Sequence, residues 1–445
     1  AGGASVPAGR VLQGATREGR TAEGPPQLPR VVVFSSLFPN AAQPYAGLFI
    51  RERAFRVARH LPLVVVSPRP WSPLDGLIRR IRPGFRLCAS RCEVQNGIRV
   101  EFSRFLSVPG VLKRFDGDLL AWGSTAVLDR LRTTAGFDLI DAHFAYPDGY
   151  AATLLGRRFG VPVTITLRGT EARLSRQPAI RKRMISALGA AARIFTVSES
   201  LKRVAMGLGA PEGRITVIPN GVDLQRFYPE DRCEARAALG LAARAPVLIS
   251  VGGLVERKGF HRVIELLPAL RQQFPGLTYV IVGGASAEGD WEHRLQRQVA
   301  ELRLEGAVRF LGNMDQDALR TPLSAADVFV LATRNEGWAN VFLEAMACGL
   351  PVVTTDVGGN REVICEAAVG SVVPFGRPDC LEVAIMQALE RPWDRRAILA
   401  YATAHAWDAR IDSLVEELKQ VAARSGPPDP SGAAYRGSRS EGDRK

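Results

Sequence analysis

The chain has 445 residues, 46% hydrophobic and 7% aromatic, with a mean hydropathy of zero, which is apolar material for two or three domain cores. Its 43 glycines and 29 prolines are spread along the sequence and exclude collagen, coiled coil and bulk disorder, and no apolar run approaches the roughly 18 residues of a membrane-spanning helix. The net charge of +13 is uneven: Pro29 to Gln225 carries 29 basic against 14 acidic side chains, whereas Arg226 to Arg424 carries 22 against 26, so an anionic partner is expected to dock on the first half.

Residues 1–28 place Arg10, Arg17 and Arg20 among Gly, Ala and Pro, without the apolar stretch of a secretory signal, and read as a disordered leader. From Pro29 onward, short β-branched runs alternate with longer amphipathic stretches, the pattern of βαβ units around a parallel sheet buried on both faces. Strands are expected at 31–34, 63–66, 139–142, 163–167, 194–197 and 215–218. The pattern restarts at 247–251, 279–282, 308–311, 328–331, 352–354 and 372–373, with helical segments such as 261–273 and 291–302 between. Six strands twice over predict an α/β protein of two doubly wound, Rossmann-like domains, residues 29–225 and 226–392, facing each other across a cleft. After Pro392, the spacing of Trp393, Ile398, Tyr401, Trp407, Ile411, Leu414 and Leu418 predicts a helical region over 393–424. Residues 425–445, rich in Gly, Pro, Ser and charge, read as a disordered tail. The six cysteines, at 88, 92, 233, 348, 365 and 380, show neither a disulfide framework nor a zinc spacing and read as free thiols of a reducing compartment.

Several motifs sit where these strands end. Asp116-Gly-Asp118 looks like a metal-binding Asp-x-Asp but follows no strand, and reads as a helix start. Asp138-Leu-Ile-Asp-Ala-His143 ends the third strand with a histidine, which by spacing alone is a structural residue. Ile218-Pro-Asn220-Gly221-Val222-Asp223 has turn residues in succession and reads as the hinge between domains. Ser250-Val-Gly-Gly253-Leu-Val-Glu-Arg257-Lys258-Gly runs from a strand through a glycine turn to a cation at the crevice edge, where a diphosphate would need its charge neutralised. The densest motif is Thr333-Arg-Asn-Glu336-Gly337-Trp338-Ala-Asn340-Val341-Phe-Leu-Glu344-Ala-Met-Ala-Cys-Gly349. There a strand ends, a Glu-Gly turn follows, and a helix starts whose free amides, from Gly337 to Val341, favour a phosphate. Glu336 and Glu344 flank that anion site, as two acids that hold sugar and ribose hydroxyls would.

The E-x7-E spacing with Gly337 after the first acid, and Glu-Ala-Met-Ala-Cys-Gly-Leu-Pro-Val-Val from the second, resemble the donor-site signature of the family 4 glycosyltransferases of GT-B fold. The resemblance extends over roughly residues 30–423. It implies a hexosyltransferase that retains anomeric configuration, needs no metal or other cofactor, and holds the nucleotide in its C-terminal domain. It assigns Lys258 to the leaving diphosphate, Glu344 to the ribose hydroxyls, Glu336 to the sugar hydroxyls, and Gly337, Trp338, Asn340 and Val341 to the donor. It puts His143 next to the transferred sugar and brings in Gly47 on the loop after the first strand, where Ala46 replaces the other glycine of a usual pair. Gly253 stands where the family carries an Arg, and Arg257 either replaces that contact or is a surface residue. Glu362 stands where the family has an acid of no settled role.

Arg79, Arg80, Arg82, Arg86, Arg91, Arg99, Arg104, Lys113 and Arg114 crowd a stretch that also contains Leu77, Ile78, Ile81, Phe85 and Phe102, a mixture that suits an anionic membrane surface. A lipid-linked sugar or growing exopolysaccharide at the cytoplasmic face of the membrane is therefore the expected acceptor, with a soluble metabolite as the alternative. A GT-B sugar-nucleotide epimerase would use the same nucleotide site. A nucleic-acid-binding protein would explain the charge but leave Glu336 and Glu344 without a task, and no nucleic-acid-binding motif is present.

Overall fold

A computed structural model describes residues 28–81, 85, 86, 90–108, 113–286 and 288–424. The expected leader up to 27, the expected tail, Arg82 and Cys88 lie outside the described residues. In the first domain the strands are β1 (Val31–Phe34), β2 (Leu63–Val66), β3 (Arg69–Trp71), β4 (Cys92–Gln95), β5 (Ile98–Glu101), β6 (Arg104–Leu106), β7 (Leu139–His143), β8 (Val163–Leu167), β9 (Arg193–Thr196) and β10 (Ile215–Val217). In the second they are β11 (Val247–Val251), β12 (Thr278–Val282), β13 (Val308–Gly312), β14 (Val328–Leu331), β15 (Val352–Thr355) and β16 (Gly370–Val373).

The first sheet has the order β10-β9-β8-β7-β1-β2-β5-β4, parallel except at β4, and β3 pairs with β6 beside it. The second sheet is β13-β12-β11-β14-β15-β16 and wholly parallel. Runs such as Val31–Phe34 and Val247–Val251 are buried at every position because helices cover both faces. The edge hairpin β4–β5 has no such apolar run. Its turn is Asn96-Gly97, both at positive φ (49° and 77°), the type I′ geometry that this dipeptide favours.

In each sheet the strand order reverses once, at β1/β7 and at β11/β14, and the loops leaving these strands open a crevice. The helical region expected at 393–424 divides between the domains. Ile398, Tyr401 and Ala402 of the helix Arg395–Ala404 join the second core. Ile411, Leu414, Val415 and Leu418 of the helix Asp408–Arg424 lie on one apolar stripe and pack against Val31, Val33, Val65 and Leu139 of the first sheet. The chain therefore crosses twice, and the crossings touch: Val222 bridges Ala406, and its N–H donates to His405 O at 3.1 Å. A Cβ on Gly221 would lie 2.6 Å from the Trp407 backbone, so only glycine lets the two crossings run side by side.

Because the last helix closes one face of the first sheet, Leu414→Ala should cost about 2–5 kcal/mol in urea unfolding, whereas Asp412→Ala on its exposed face should change stability by less than about 0.5 kcal/mol.

Candidate active site

The loops after β11 and β14 meet at the second switch point. After β11 the chain passes Gly252 and Gly253 into the turn Glu256–Lys258, which ends at Gly259 with φ 78°. A Cβ there would clash with the carbonyl of Ala332, so the two loops are held backbone to backbone. After β14, residues 332–339 lead into the helix Asn340–Ala347, whose start no side chain caps. Its free amides are an anion site by construction. A cleft of about 1190 Å³ opens here, and Arg257, Lys258, Glu336, Gly337, Trp338, Asn340, Val341 and Glu344 all line it. From the first domain, Leu48, Phe49, Glu52, Phe144, Arg168 and Gly169 line the opposite wall.

Glu336 organises the cations. Its Oε1 accepts from Lys258 Nζ at 2.7 Å, from Arg257 Nη1 at 3.1 Å and from Thr333 Oγ1 at 3.2 Å. Arg257 also reaches both oxygens of Glu288 at 2.7 Å, so it belongs to the cleft and is not a free surface charge. Gly253, in contrast, brings no side chain, and a Cβ there would lie 3.0 Å from Ser286 Cβ and 3.3 Å from its Oγ. Trp338 contributes an indole N–H that is buried and has no protein partner.

His143 does not reach the cleft. It ends β7 in full burial, 1% exposed, one layer behind Arg168. Its Nδ1 faces Arg168 Nε at 3.3 Å and Nη2 at 3.1 Å, and since a guanidinium only donates, Nδ1 is the acceptor and Nε2 carries the proton toward Asp141, 3.9 Å away. Burial first, then Arg168 and Arg53, hold the imidazole well below its ordinary value, so it is neutral near pH 7. Arg168, the residue after β8, is the side chain that lines the cleft. Its Nη1 donates to Asn220 Oδ1 at 2.7 Å, and Asn220 Nδ2 donates to Asn340 Oδ1 at 2.9 Å, which joins the first domain, the 218–223 turn and the helix Asn340–Ala347. His143, expected next to the transferred sugar, stands one residue before the cleft-lining Phe144 and contacts the cleft-lining Arg168, a residue that directly precedes Gly169 after β8 and that no motif singled out. Gly47, at φ 72°, starts the helix Leu48–Val57 and packs on Leu37, while its neighbours Leu48 and Phe49 line the cleft. Asp116 opens the helix Asp116–Thr134 and pairs with Lys113; Asp118 accepts from Tyr150 and Arg183.

Residues 231–405 match the model of glycosyl transferases group 1, and residues 88–226 that of glycosyltransferase family 4. A D-inositol 3-phosphate glycosyltransferase of Actinosynnema mirum is 31% identical over 326 residues, 68% of this chain and 78% of that protein. The chain belongs to the group 1 and family 4 glycosyltransferases. The putative teichuronic acid biosynthesis glycosyltransferase TuaC of Bacillus subtilis is 29% identical over 344 residues, 74% of this chain and 82% of that one. Among solved structures, sucrose-phosphate synthase of Thermosynechococcus elongatus superposes with a TM-score of 0.72 at 22% identity, over 89% of this chain and all of the other. Anabaena HepE in complex with UDP-glucose gives 0.66 at 19% identity, over 88% of this chain and 100% of that one. These likenesses show the GT-B fold of this glycosyltransferase, and the family's activity uses nucleotide sugars.

Glu344, on the helix Asn340–Ala347, sits in a different environment from Glu336. Burial lifts the Glu344 carboxyl to about 7, and Glu52 across the cleft adds to the rise against Arg226 and Lys258. Glu52 itself is lowered: burial would raise it, but the paired Arg56, at 2.6 Å, and Arg226, at 3.2 Å, outweigh that. An acid lifted above its unfolded value ionises first in the unfolded chain, so the native state loses relative stability as pH rises from about 4.5 through about 7. Glu344→Gln removes that loss. In urea unfolding at a series of pH values, the variant should exceed the wild type by about 1–3 kcal/mol near pH 8 and match it below about pH 4.5.

Proposed function

We propose that this glycosyltransferase moves a hexose from a UDP- or GDP-sugar to a hydroxyl of a lipid-linked or polysaccharide acceptor, with retention of configuration. The observation that carries the reading is Glu336 holding Lys258 and Arg257 beside an uncapped helix start. A diphosphate entering that site would exchange for the carboxylate on both cations, take further N–H donors from Asn340 and Val341, and release Glu336 to accept from sugar hydroxyls. Glu344, farther along the same helix, would accept from the ribose hydroxyls. The bond from the anomeric carbon to the diphosphate breaks and a bond to the acceptor oxygen forms on the same face, with the acceptor proton passing to the departing diphosphate oxygen. Lys258 and Arg257 neutralise the charge that develops, so the reading needs no metal. Arg168 faces the reacting sugar from the other domain, held at a fixed angle by neutral His143 and by Asn220.

The acceptor reading rests on the basic first domain. No helix among the described residues is long and apolar enough to cross a membrane. The short helix Asp75–Ile81 instead exposes Leu77 (60%) and Ile81 (83%), next to Leu74 and Trp71, with Arg79 and Arg80 on the same helix. Apolar side chains ringed by arginines suit the anionic inner face of a membrane, where a lipid-linked or exopolysaccharide acceptor would be presented. The polymer and the inositol phosphate named for the two relatives are likewise anionic.

Thermal unfolding against UDP, GDP, UDP-glucose, UDP-galactose, UDP-N-acetylglucosamine and GDP-mannose tests the donor site. One nucleotide family should stabilise the native protein by roughly 2.7 kcal/mol at a hundredfold excess over its Kd. That shift should vanish in Lys258→Ala and Glu344→Ala and persist in Arg168→Ala, which should lose transfer; no shift with any nucleotide would overturn the site. Cosedimentation with phosphatidylglycerol vesicles tests the docking face. The double variant Leu77→Asp/Ile81→Asp should bind at least about tenfold more weakly, and unchanged binding would detach this helix from the membrane reading.

A further inference from the structure

Glu362 does not line the cleft, yet its carboxylate bridges the two domains. It sits on the short helix Asn360–Val363 of the second domain. Its two carboxylate oxygens accept from the backbone N–H groups of Glu199 at 2.6 Å and Ser200 at 2.7 Å, the first two residues of the helix Glu199–Gly207 in the first domain. The third amide of that turn, Leu201, is satisfied locally by Ser198 Oγ at 3.3 Å. A helix start that exposes partial positive charge is thus closed by a carboxylate from the opposite domain.

The contact is mechanically joined to the donor turn. Gly358 and Gly359, just before Glu362, lie against the backbone of Glu336 and Gly337: a Cβ on Gly358 would strike Glu336 O, and one on Gly359 would lie 2.5 Å from Gly337 O and 3.1 Å from Ser198 Cβ. On the other side, a Cβ on Gly169 would lie 2.9 Å from Gly337. The turn bearing Glu336 is therefore gripped between the domains, and Glu362 fastens one side of the grip.

We propose that Glu362 is a closure latch and a positioning residue: its carboxylate, docked on the start of the Glu199–Gly207 helix, holds the domains shut and thereby keeps the Glu336–Gly337 turn in place. When the cleft opens, water takes over both amides, so the latch costs little to release and suits a contact remade in each turnover. Its functional meaning rests on Glu336–Gly337 being the donor turn, whereas scattering and amide exchange read the contact itself, so the two readings fail separately.

The test uses the full chain without ligand. Glu362→Gln removes the charge, and Glu199→Pro removes one donor at a helix position where proline is tolerated and where the preceding Ser198 is already extended, at φ −158° and ψ 157°. Both variants should fold with little change in melting temperature. Both should give a larger radius of gyration by small-angle X-ray scattering. In Glu362→Gln, amide exchange should quicken roughly tenfold at Glu199 and Ser200, and also at Gly337 to Asn340, which no bond from Glu362 reaches. The double variant should be no more open than the more open single one. Faster exchange confined to Glu199 and Ser200, with an unchanged radius, would reduce Glu362 to a local cap and overturn the latch.

Discussion

The constraint on which the molecule depends is that backbone meets backbone at Gly337. The carbonyl of Arg168 and the Cα of Gly169 approach it from one domain, and Gly358 and Gly359 approach it from its own. A side chain at Gly169 or Gly337 would hold the two sheets farther apart. Because both positions are glycine, the ends of β8 and β14 come close enough for Arg168 and Glu336 to share one cleft. Cleft width is thus set by atoms that do no chemistry.

Within that width the electrostatics are arranged as a provisional balance. Lys258 and Arg257 would repel each other in a half-buried site, and Glu336 satisfies both through a single oxygen. Such a pairing is replaceable, because an anion of higher charge can take both cations and leave the carboxylate for hydroxyls. The opposite wall is built for permanence. Asp141 and His143 lie buried behind Arg168, which contacts His143, and Asn220 ties Arg168 to the helix Asn340–Ala347. A yielding wall facing a stiff one is what a site needs if it is to bind an anion and still hold a sugar at a fixed angle.

How much of this was legible in the sequence follows from where the signals lie. Parallel strands buried on both faces are continuous β-branched runs, so both sheets and the cleft could be read directly, and the Glu336–Glu344 spacing marked one wall of it. The hairpin of β4 and β5 sits at an edge with one face in water, and only Asn96-Gly97 announced it. His143 was expected beside the sugar and Arg168, which its ring contacts, was not singled out, because a residue that ends a strand has two faces to choose from and sequence alone does not say which one looks into the cleft. The role of Glu362 was illegible for a deeper reason: its partners are main-chain amides, which every residue has. The last helix was seen as a helix, but its stripe fits either sheet equally well, and the crossing at Ala406 and Trp407 that decides the matter is a feature of backbone approach to Gly221.

That crossing bears on how the protein is made. The first domain, although synthesised first, lacks one covering layer until the final residues of Asp408–Arg424 have left the ribosome, because Ile411, Leu414 and Leu418 are part of its core. The second domain is continuous in sequence: Phe227 and the helix Arg232–Ala238 already pack with it, and it runs on to Ala404. Order of translation and order of completion are therefore opposite. The face of β1, β2 and β7 must stay shielded from other nascent chains for as long as it takes to translate the entire partner domain. A helix that serves as the closing layer of the opening domain makes that domain's core depend on residues that follow the whole of its partner: without Ile411, Leu414 and Leu418, the face formed by Val31, Val33, Val65 and Leu139 would stand open as an apolar patch.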